Sequence, residues 1–304
     1  MYEVSDLIYL PRYGVPICFG FVPEELIKFP EHLAFRLNQF TAELSSSRET
    51  STLKPDQIEA SPAEACVLGV MFSNVFQHWL EELLKVIILE KFGFDGVNVF
   101  PDWFPNFCRE TLCLLGIPSS RILTINYPVR FKKGLFSTTV HHFNANQFPN
   151  VITQLRDRVF DVCPNERGRG PRIWAERGRD ASGRDIINKE EVYRCIARYD
   201  FIPADFGAHT FAQQIGIDRA TDVLAGPHGS AIAHCSLMRS DRKIVEIFSP
   251  FYINPSAIQL CQVMRHTYHQ IVAANKQFDL YKHGTDIMVD IDHLELSLSV
   301  ACRS

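Results

Sequence analysis

The sequence predicts an α/β protein built from two doubly wound domains that face each other across a cleft. Strand-like apolar segments alternate with helical segments in both halves of the chain, and a Gly- and Arg-rich stretch, 165–171, separates the halves. The length of 304 residues suits two modest domains or one large domain. We expect a first domain over 1–165, a second over 171–275, and a tail over 276–304 that packs back on the first domain.

In the first half, regular alternation begins after a long polar stretch. Residues 1–44 predict only short strands with one helix near 31–44, and residues 45–64 predict a mobile loop because they contain few large apolar side chains. Strand, helix, strand, helix and strand are then predicted at 66–72, 75–91, 97–100, 106–115 and 121–125. Asn74 is the expected N-cap of the first of these helices. A further helix is predicted at 148–162, after a less regular section.

The second half repeats the alternation of strands and helices. Strands are predicted at 172–175, 201–204, 221–225 and 243–248, and helices at 188–198, 210–217, 230–237 and 255–274. Asn188 is the expected N-cap of its helix, with Glu191 at the third helical position. Thr210 and Gln213 have the spacing of a capping box, which predicts a helix start at that point.

The composition is that of an ordinary globular protein, with 46% hydrophobic and 22% charged residues. A net charge of −4 gives no general attraction to nucleic acid, so no nucleic-acid partner is expected. The nine cysteines form no Cys-x-x-Cys pair, which favours reduced, buried thiols. No membrane-spanning run and no basic signal-like N-terminus are evident, so we expect a cytoplasmic protein, with peripheral attachment at the inner face of the membrane as a compatible alternative.

The segment Asp222-Val-Leu-Ala-Gly-Pro-His-Gly-Ser-Ala-Ile-Ala-His234 predicts an anion site. An apolar run ends in a Gly-rich turn, followed by small residues that can open a helix. Such a turn directs backbone N–H groups, at the positive end of a helix dipole, towards a phosphate or diphosphate. A plain connection is the alternative. A serine hydrolase is disfavoured because the Gly-x-Ser-x-Gly pattern is absent around Ser230.

A second candidate is the pair His78 and Glu82 on the predicted helix 75–91. Residues four apart lie on one face of an α-helix and can hydrogen-bond. A carboxylate beside an imidazole is a natural general-base arrangement, because each group tunes the pKa of the other. The alternative is an ordinary solvent-facing pair on a helix that is otherwise strongly apolar.

A third candidate is the basic loop that contains Arg177, Arg179 and Arg184. It follows a predicted strand and precedes a capped helix. Arginine forks bind phosphate oxygens through two hydrogen bonds, so the loop suits a nucleotide diphosphate. The alternative is a solvated loop that Asp180 and Asp185 neutralise locally.

Metal chemistry is not expected from the sequence. His141-His142 lacks acidic or thiol partners at ligand spacing. Asp290-Ile-Asp292 has an Asp-x-Asp pattern, but little chain remains after it to complete a metal site. We interpret it as part of a closing amphipathic element.

These segments resemble glycosyltransferase family 61 in their order and spacing, over roughly residues 66–275. The stretch Asn74…His78-Trp79-Leu-Glu-Glu82-Leu83 is similar to the family's Asn…His-Trp-x-x-Asp/Glu-x-Leu-Pro-Arg. Arg177 through Ile187-Asn188-Lys-Glu190 is similar to its Ser-Arg…Arg-x-Ile-x-Asn-Glu. Thr210-Phe-Ala-Gln-Gln214…Asp222-Val-Leu-Ala-Gly-Pro-His-Gly-Ser-Ala resembles Ser-x-x-Glu-Gln…Gly-x-His-Gly-Ala, and Val245-Glu246-Ile-Phe…Tyr252-Ile-Asn254-Pro255 resembles the family's closing segment.

The resemblance implies a GT-B-like fold of two Rossmann-like domains. It also implies inverting, metal-independent transfer of a hexose or pentose from a nucleotide-sugar to a glycan or lipid-linked acceptor, and a UDP-sugar is the expected donor. The implied roles are catalysis for Glu82 and His78, with Glu82 favoured as the base; nucleotide-sugar binding for Arg177, Arg184, Gly226, His228, Gly229 and Ser230; and an acceptor-side position for Asn74, Trp79 and Lys85.

Three departures from the family pattern bear on these roles. Leu84-Lys85 stands in place of Pro-Arg, Glu176 in place of Ser, and Ser230 in place of Ala or Gly. Lys85 keeps the positive charge but lacks the planar fork of arginine. The alternative function is therefore a non-catalytic nucleotide- or glycan-binding module that retains the fold.

Overall fold

The structure is a computed structural model that describes residues 2–10, 15–18, 58–68, 75–136, 149–163, 172–178, 183–274 and 286–303. The chain divides into two compact units, Met1–His141 and His142–Ser304, each with one β-sheet. Parallel strands dominate both sheets and helices connect them, so the predicted α/β class is confirmed. The predicted linker at 165–171 and the predicted helix near 31–44 lie outside the described residues.

Six strands form the sheet of the first unit. They are β1 (Tyr2–Leu10), β2 (Val15–Cys18), β3 (Glu59–Val67), β4 (Val97–Pro101), β5 (Ile122–Ile125) and β6 (Val129–Phe136). Their order across the sheet is β2-β1-β6-β3-β4-β5. The pairs β6–β3, β3–β4 and β4–β5 are parallel, whereas β1 is antiparallel to both of its neighbours.

Two strands of this sheet differ from the sequence prediction. β3 begins at Glu59, so residues 59–64 belong to a strand beside β6 and not to a mobile loop; residues 45–57 lie outside the described part of the chain. β6 lies in the section predicted to be less regular. Its buried Val129, Phe131 and Leu135 lie at alternate positions and Arg130 and Lys132 lie between the first of them, which fits a half-buried strand. Lys133 falls on the apolar side and weakens this period-two signal.

Helix α1 lies between β3 and β4 and has three consecutive segments: α-helical Val75–Gln77, π-helical His78–Glu82 and α-helical Leu83–Lys91. The predicted extent, 75–91, is confirmed. All five residues of the π-helical segment are buried, which fits a helix that is apolar on most faces. The expected cap, Asn74, lies outside the described residues. Helix α2 (Asn106–Leu114) and a 3-10 turn (Ser119–Arg121) follow.

The sheet of the second unit is entirely parallel. Its strands are β7 (Arg172–Ala175), β8 (Ile202–Ala204), β9 (Val223–Pro227), β10 (Lys243–Phe248) and β11 (Thr267–Val272), in the order β11-β10-β9-β7-β8. Numbered within this unit, the order is the doubly wound order 2-1-3-4-5. The chain reverses its direction of winding between β7 and β9. Ligands of such sheets bind outside the carboxyl ends of the strands at this switch point.

β11 corrects the predicted helix at 255–274. Helix α6 (Ser256–Met264) ends at Arg265, whose φ of 60° lies in the left-handed region. The chain then extends, and β11 pairs in parallel with β10. β-Branched residues such as Thr267 and Val272 favour a strand at this position, although the preceding residues have helical periodicity.

The first helix of the second unit precedes its first strand. The helices of this unit are α3 (Pro149–Val162), α4 (Lys189–Ala197), α5 (Phe211–Ala220), α6 and α7 (Ile291–Ala301), with 3-10 helices at Phe206–Ala208 and Ser230–Leu237. Residues 230–237 were expected to form an α-helix and are a 3-10 helix instead. The predicted capping box of α5 is confirmed, because Thr210 Oγ1 accepts from the Gln213 N–H at 3.3 Å and Gln213 Oε1 accepts from the Thr210 N–H at 3.0 Å.

Asn188 precedes α4 but does not cap it through its side chain. Its Oδ1 accepts from the Val289 N–H at 3.0 Å and its Nδ2 donates to the Val289 carbonyl at 2.9 Å. The predicted N-cap position, with Glu191 third in the helix, is therefore confirmed, but the expected side-chain capping bond is absent. The amide instead connects the start of α4 to the segment that leads into α7.

Two structural elements lie in a different unit from the one predicted. Helix α3 was assigned to the first domain, yet it packs on α5, α6 and the 3-10 helix Ser230–Leu237. The tail was expected to pack on the first domain. Its helix α7 instead buries Leu294, Leu298 and Ala301 in the core of the second unit, beside Trp174 and α4. An apolar stripe on α7 explains this position, and Asp290 caps the helix by accepting from the His293 N–H at 3.0 Å.

The eight cysteines whose side chains are described are free thiols, and most of them are buried. No helix in the described ranges combines the length and hydrophobicity that crossing a bilayer requires.

Candidate functional site

Arg177 joins the carboxyl ends of the two strands at the switch point of the second sheet. It follows β7, and its Nη1 donates to the backbone carbonyl of His228, which follows β9, at 2.9 Å. Nε is buried and has no hydrogen-bond partner among the described residues. Burial, reinforced by the nearby charge of Arg184, lowers the pKa of Arg177 to about 10, so the guanidinium remains charged at neutral pH. The described residues use only Nη1, so most of its five N–H donors are not engaged by them.

Arg184 supplies a second guanidinium next to the first. Its backbone has a left-handed φ of 63°, directly after Gly183 with φ 66°. The guanidinium lies over the ring of Tyr252, with 5.1 Å from Cζ to the ring centroid. Its Nε is buried, and no described residue forms a hydrogen bond with the group. Burial lowers its pKa, and Tyr252 and Glu246 act in the opposite direction. Arginine donors without a described partner at the carboxyl ends of parallel strands suit an anion.

His228 is held rigidly between these arginines and the sheet. Its backbone N–H donates to the Ile247 carbonyl at 2.8 Å. Its ring stacks on Phe248 at 4.8 Å and contacts the tilted ring of Tyr252 at 5.2 Å. Nδ1 lies 2.5 Å from Glu246 Oε1, while Nε2 has no hydrogen-bond partner in the described part of the chain. The imidazole therefore offers one free nitrogen beside the two guanidinium groups.

Glu246 and Tyr268 complete this arrangement, and the sequence analysis assigned neither residue a role. Glu246 lies on β10 and is 0% exposed; its Oε2 accepts from the Tyr268 hydroxyl on β11 at 2.6 Å. Burial and the Glu246 carboxylate raise the pKa of Tyr268 far above its usual range, so the hydroxyl stays protonated and donates. The signal that could have identified Glu246 is a lone carboxylate within the apolar strand Lys-Ile-Val-Glu-Ile-Phe, because an ionisable side chain in a buried strand needs a partner.

The two glycines of the turn have different reasons to lack a side chain. A β-carbon on Gly226 would lie 2.6 Å from the Ala175 carbonyl oxygen, so this glycine allows β9 to approach β7 closely. A β-carbon on Gly229 would lie 2.6 Å from Arg177 Nη1, so this glycine leaves room for the guanidinium. Ser230 is exposed at the start of the 3-10 helix. The structure thus brings Arg177, Arg184 and His228 together, with Gly226, Gly229 and Ser230 in the connecting turn.

Glu176, which departs from the family pattern, has its own partner. The Tyr193 hydroxyl on α4 donates to Glu176 Oε1. Burial and this contact raise the pKa of Tyr193. The carboxylate is therefore engaged by α4 even though it directly precedes Arg177.

The first unit contains a separate buried polar cluster on α1. His78 is 1% exposed, and its Nε2 lies 2.7 Å from Thr111 Oγ1. The Thr111 hydroxyl donates to the Cys108 carbonyl at 2.9 Å, so its oxygen accepts the proton of Nε2. Nδ1 consequently carries a lone pair and has no hydrogen-bond partner among the described residues.

Glu82 is paired with Lys85 and not with His78. Lys85 Nζ donates to Glu82 Oε2 at 2.9 Å, and both side chains are almost completely buried. The predicted hydrogen-bonded pair of His78 and Glu82 is therefore wrong. The physical reason is the π-helical turn His78–Glu82, whose wider i→i+5 geometry changes which side chains share a face. Trp79, predicted on the acceptor side, is 1% exposed in the same segment.

The burial of His78 predicts a pH-dependent stability. Desolvation lowers its pKa from 6.5 to about 4. The unfolded chain therefore binds the proton more readily than the folded protein. The contribution of neutral His78 to the free energy of unfolding is present above pH 6.5 and is lost as the pH falls towards 4. The expected loss between pH 7 and pH 4 is about 3 kcal/mol. Urea unfolding of wild type and His78→Gln at both pH values measures it, and the same pH dependence in both proteins would contradict the prediction.

A scan against protein-family models matches residues 76–245 to Glycosyltransferase 61, which is more than half of the chain. The chain belongs to glycosyltransferase family 61. A search of the curated proteins finds no match. For this family 61 glycosyltransferase, membership indicates transfer of a sugar from a donor to an acceptor. The matched range contains the α1 cluster, both arginines and His228, whereas Glu246, Tyr252 and Tyr268 lie beyond it.

Proposed function

We propose that this family 61 glycosyltransferase is an inverting, metal-independent enzyme of the GT-B type. In this proposal it moves a hexose or pentose from a UDP-sugar to a hydroxyl of a glycan or lipid-linked acceptor, and it acts in the cytoplasm or at the inner face of the membrane. One observation carries the proposal: two half-buried arginines with unused donors lie beside His228 at the switch point of a fully parallel sheet. This is the position at which such sheets bind nucleotides.

The chemistry that these residues suit is the departure of a diphosphate. As the acceptor oxygen bonds to the anomeric carbon, the bond from that carbon to the diphosphate oxygen breaks, and the electron pair stays on the diphosphate. Arg177, Arg184 and His228 place positive charge and hydrogen-bond donors where this negative charge develops, which is the role that a metal ion fills in other transferases. Attack from the face opposite the leaving group inverts the anomeric configuration.

The acceptor hydroxyl must also lose its proton, and we assign this step to Glu82. The Lys85 ammonium at 2.9 Å favours the ionised carboxylate. His78 is the alternative, because its Nδ1 carries a free lone pair. Burial disfavours the imidazolium that proton transfer would create, since it lowers the pKa of His78 to about 4. His78 is better suited to orient the acceptor than to hold its proton.

A non-catalytic nucleotide- or glycan-binding module is the second candidate function. The ion pair between Lys85 and Glu82 favours it, because the proposed base is already engaged. The anion site would be the same in both cases. Turnover of a nucleotide-sugar by the purified protein distinguishes the two functions.

Binding of nucleoside diphosphates to arginine variants tests the proposal. Isothermal titration with UDP, GDP and CDP identifies which nucleobase the protein prefers. Arg177→Ala and Arg184→Ala are each expected to raise the Kd about 10- to 100-fold, because each removes charge-assisted hydrogen bonds worth about 1.5–3 kcal/mol. Arg265→Ala is the matched control, since Arg265 is an exposed arginine of the same unit, paired with Asp241 at 2.7 Å. Equal affinity in all four proteins, or no binding by the wild type, would contradict the proposed site.

A further inference from the structure

We propose that Glu246 and Tyr268 are positioning residues that hold the His228 ring through its Nδ1–H, so that Nε2 faces the diphosphate of the donor sugar and donates to it once the ring carries a second proton. This inference rests on the proposed function and adds two residues that neither the family match nor the sequence motifs assign a role. Both lie behind His228, on neighbouring strands β10 and β11.

The direction of each hydrogen bond follows from what each atom can donate. The Tyr268 hydroxyl remains protonated because burial and Glu246 raise its pKa, so it donates to Glu246 Oε2 at 2.6 Å. A carboxylate has only acceptors, so the 2.5 Å contact between Glu246 Oε1 and His228 Nδ1 requires the proton on Nδ1. Both oxygens of Glu246 are then occupied, and the ring cannot rotate without breaking the pair.

A bound diphosphate calls for a second proton, on Nε2, because its oxygens are hydrogen-bond acceptors. Glu246 is 0% exposed, and an ionised carboxylate in such a position is costly unless a positive partner faces it. Nδ1 of His228 is the nearest nitrogen to it that the structure records. A doubly protonated His228 neutralises Glu246 on one side and offers Nε2–H on the other, beside the guanidinium groups.

Other charged and titratable groups also act on this pair. Arg177 and Arg184 oppose a further positive charge on the ring, whereas Asp185 and Asp286 lie near Arg177 and moderate its field. The thiols of Cys235 and Cys261 lie near Glu246 and Tyr268, and the hydrogen bond with Cys261, together with burial, raises the pKa of Cys235, which keeps it neutral. Tyr252 contacts the ring through its face. A bound diphosphate would offset both arginines, so it strengthens the preference for the protonated ring.

Long-range ¹H–¹⁵N spectra of the wild-type protein test the proton positions directly. The His228 ring, assigned by comparison with His228→Asn, is expected to show a protonated Nδ1 at pH 7 without ligand and two protonated nitrogens when UDP is bound. Tyr268→Phe should keep the proton on Nδ1 but weaken UDP binding several-fold. An unprotonated Nδ1 in the wild type would overturn the inference without any dependence on how a variant folds.

The pH profile of UDP affinity separates positioning from a merely structural role. In the wild type, affinity should fall at high pH with one step that His228→Asn removes. Glu246→Gln should move that step to lower pH, because the carboxylate no longer favours the charged ring. The positioning role is overturned if a folded Glu246→Gln protein shows the wild-type pH midpoint of UDP affinity. If Arg177→Ala still binds UDP weakly in that case, the proposed diphosphate site itself stands. A wild type that binds no diphosphate overturns the proposed function instead, while the spectra still report on the His228–Glu246 pair.

Discussion

Glu82→Gln is expected to lower the kcat of sugar transfer by about 10²- to 10⁴-fold and to leave the Kd for UDP unchanged. Glutamine keeps the size and a hydrogen-bonding oxygen of the side chain but cannot take the acceptor's proton. The arginines and His228 that are proposed to bind the diphosphate lie in the other unit, so their contacts do not depend on Glu82. Steady-state kinetics with a nucleotide-sugar, together with titration of UDP, measures both quantities.

Lys85 provides the control for this experiment. Removing the charge of Glu82 leaves a buried ammonium without its carboxylate, which costs about 3–5 kcal/mol when a buried pair is broken on one side. The double variant Glu82→Gln/Lys85→Met removes both charges, so it should recover most of that stability and remain inactive. Full turnover in this double variant would show that Glu82 is not the base. Loss of turnover in His78→Gln would then assign the proton transfer to His78.

His234→Phe is expected to lower the free energy of unfolding at pH 7 by about 3–5 kcal/mol. His234 Nδ1 lies 2.5 Å from Asp218 Oδ2, and both side chains are about 1% exposed. The second oxygen of Asp218 has no hydrogen-bond partner among the described residues. The His234 ring stacks on Phe206, with 3.9 Å between the ring centroids, and phenylalanine at position 234 retains this stacking. The variant therefore removes the hydrogen bond and leaves most of the packing. Urea denaturation measures the difference.

The pH dependence and a double variant check the cause of that loss. Burial raises the pKa of Asp218, so the folded state favours the protonated acid, and this contribution to stability is present at low pH and lost as the pH rises. The defect of His234→Phe should therefore shrink between pH 7 and pH 5. Asp218→Leu/His234→Phe removes the unpaired carboxylate and should be close to wild type in stability. A defect below about 1 kcal/mol, or one that grows at low pH, would show that the buried contact between His234 and Asp218 does not stabilise the fold in this way.

The alternation of strands and helices could be predicted from the sequence where each element has a local signal. The capping box at Thr210 and Gln213 fixed the start of α5, and glycine after an apolar helical stretch marked the ends of α1 and α2. β1, β6 and β11 lacked such signals. Their existence depends on pairing with strands distant in the chain, and helical periodicity in α6 continued past the boundary that the left-handed Arg265 sets.

The residues of the candidate site also differ in whether the sequence could predict them. Arg177, Arg184 and His228 could be selected because residues of these types follow strands in a recognisable order. Tyr252 and Tyr268 could not, because their roles arise from side chains on adjacent strands and loops that meet only in the folded chain. Glu246 had one signal, a lone carboxylate in an apolar strand, but that signal does not identify its partners. The pairing of His78 with Glu82 failed for a local reason, since a π-helical turn has no sequence signature as clear as that of an α-helix.

The left-handed backbone of Arg184 has a consequence for any attempt to make this protein more heat-resistant. An L-residue with a side chain pays about 1–2 kcal/mol to hold φ at 63°, whereas glycine adopts that angle freely. Selection for thermal stability alone would therefore favour glycine at this position. That change removes one of the two guanidinium groups at the carboxyl ends of the strands. Given the proposed role of Arg184 in binding the diphosphate, the more stable variant would be the slower enzyme.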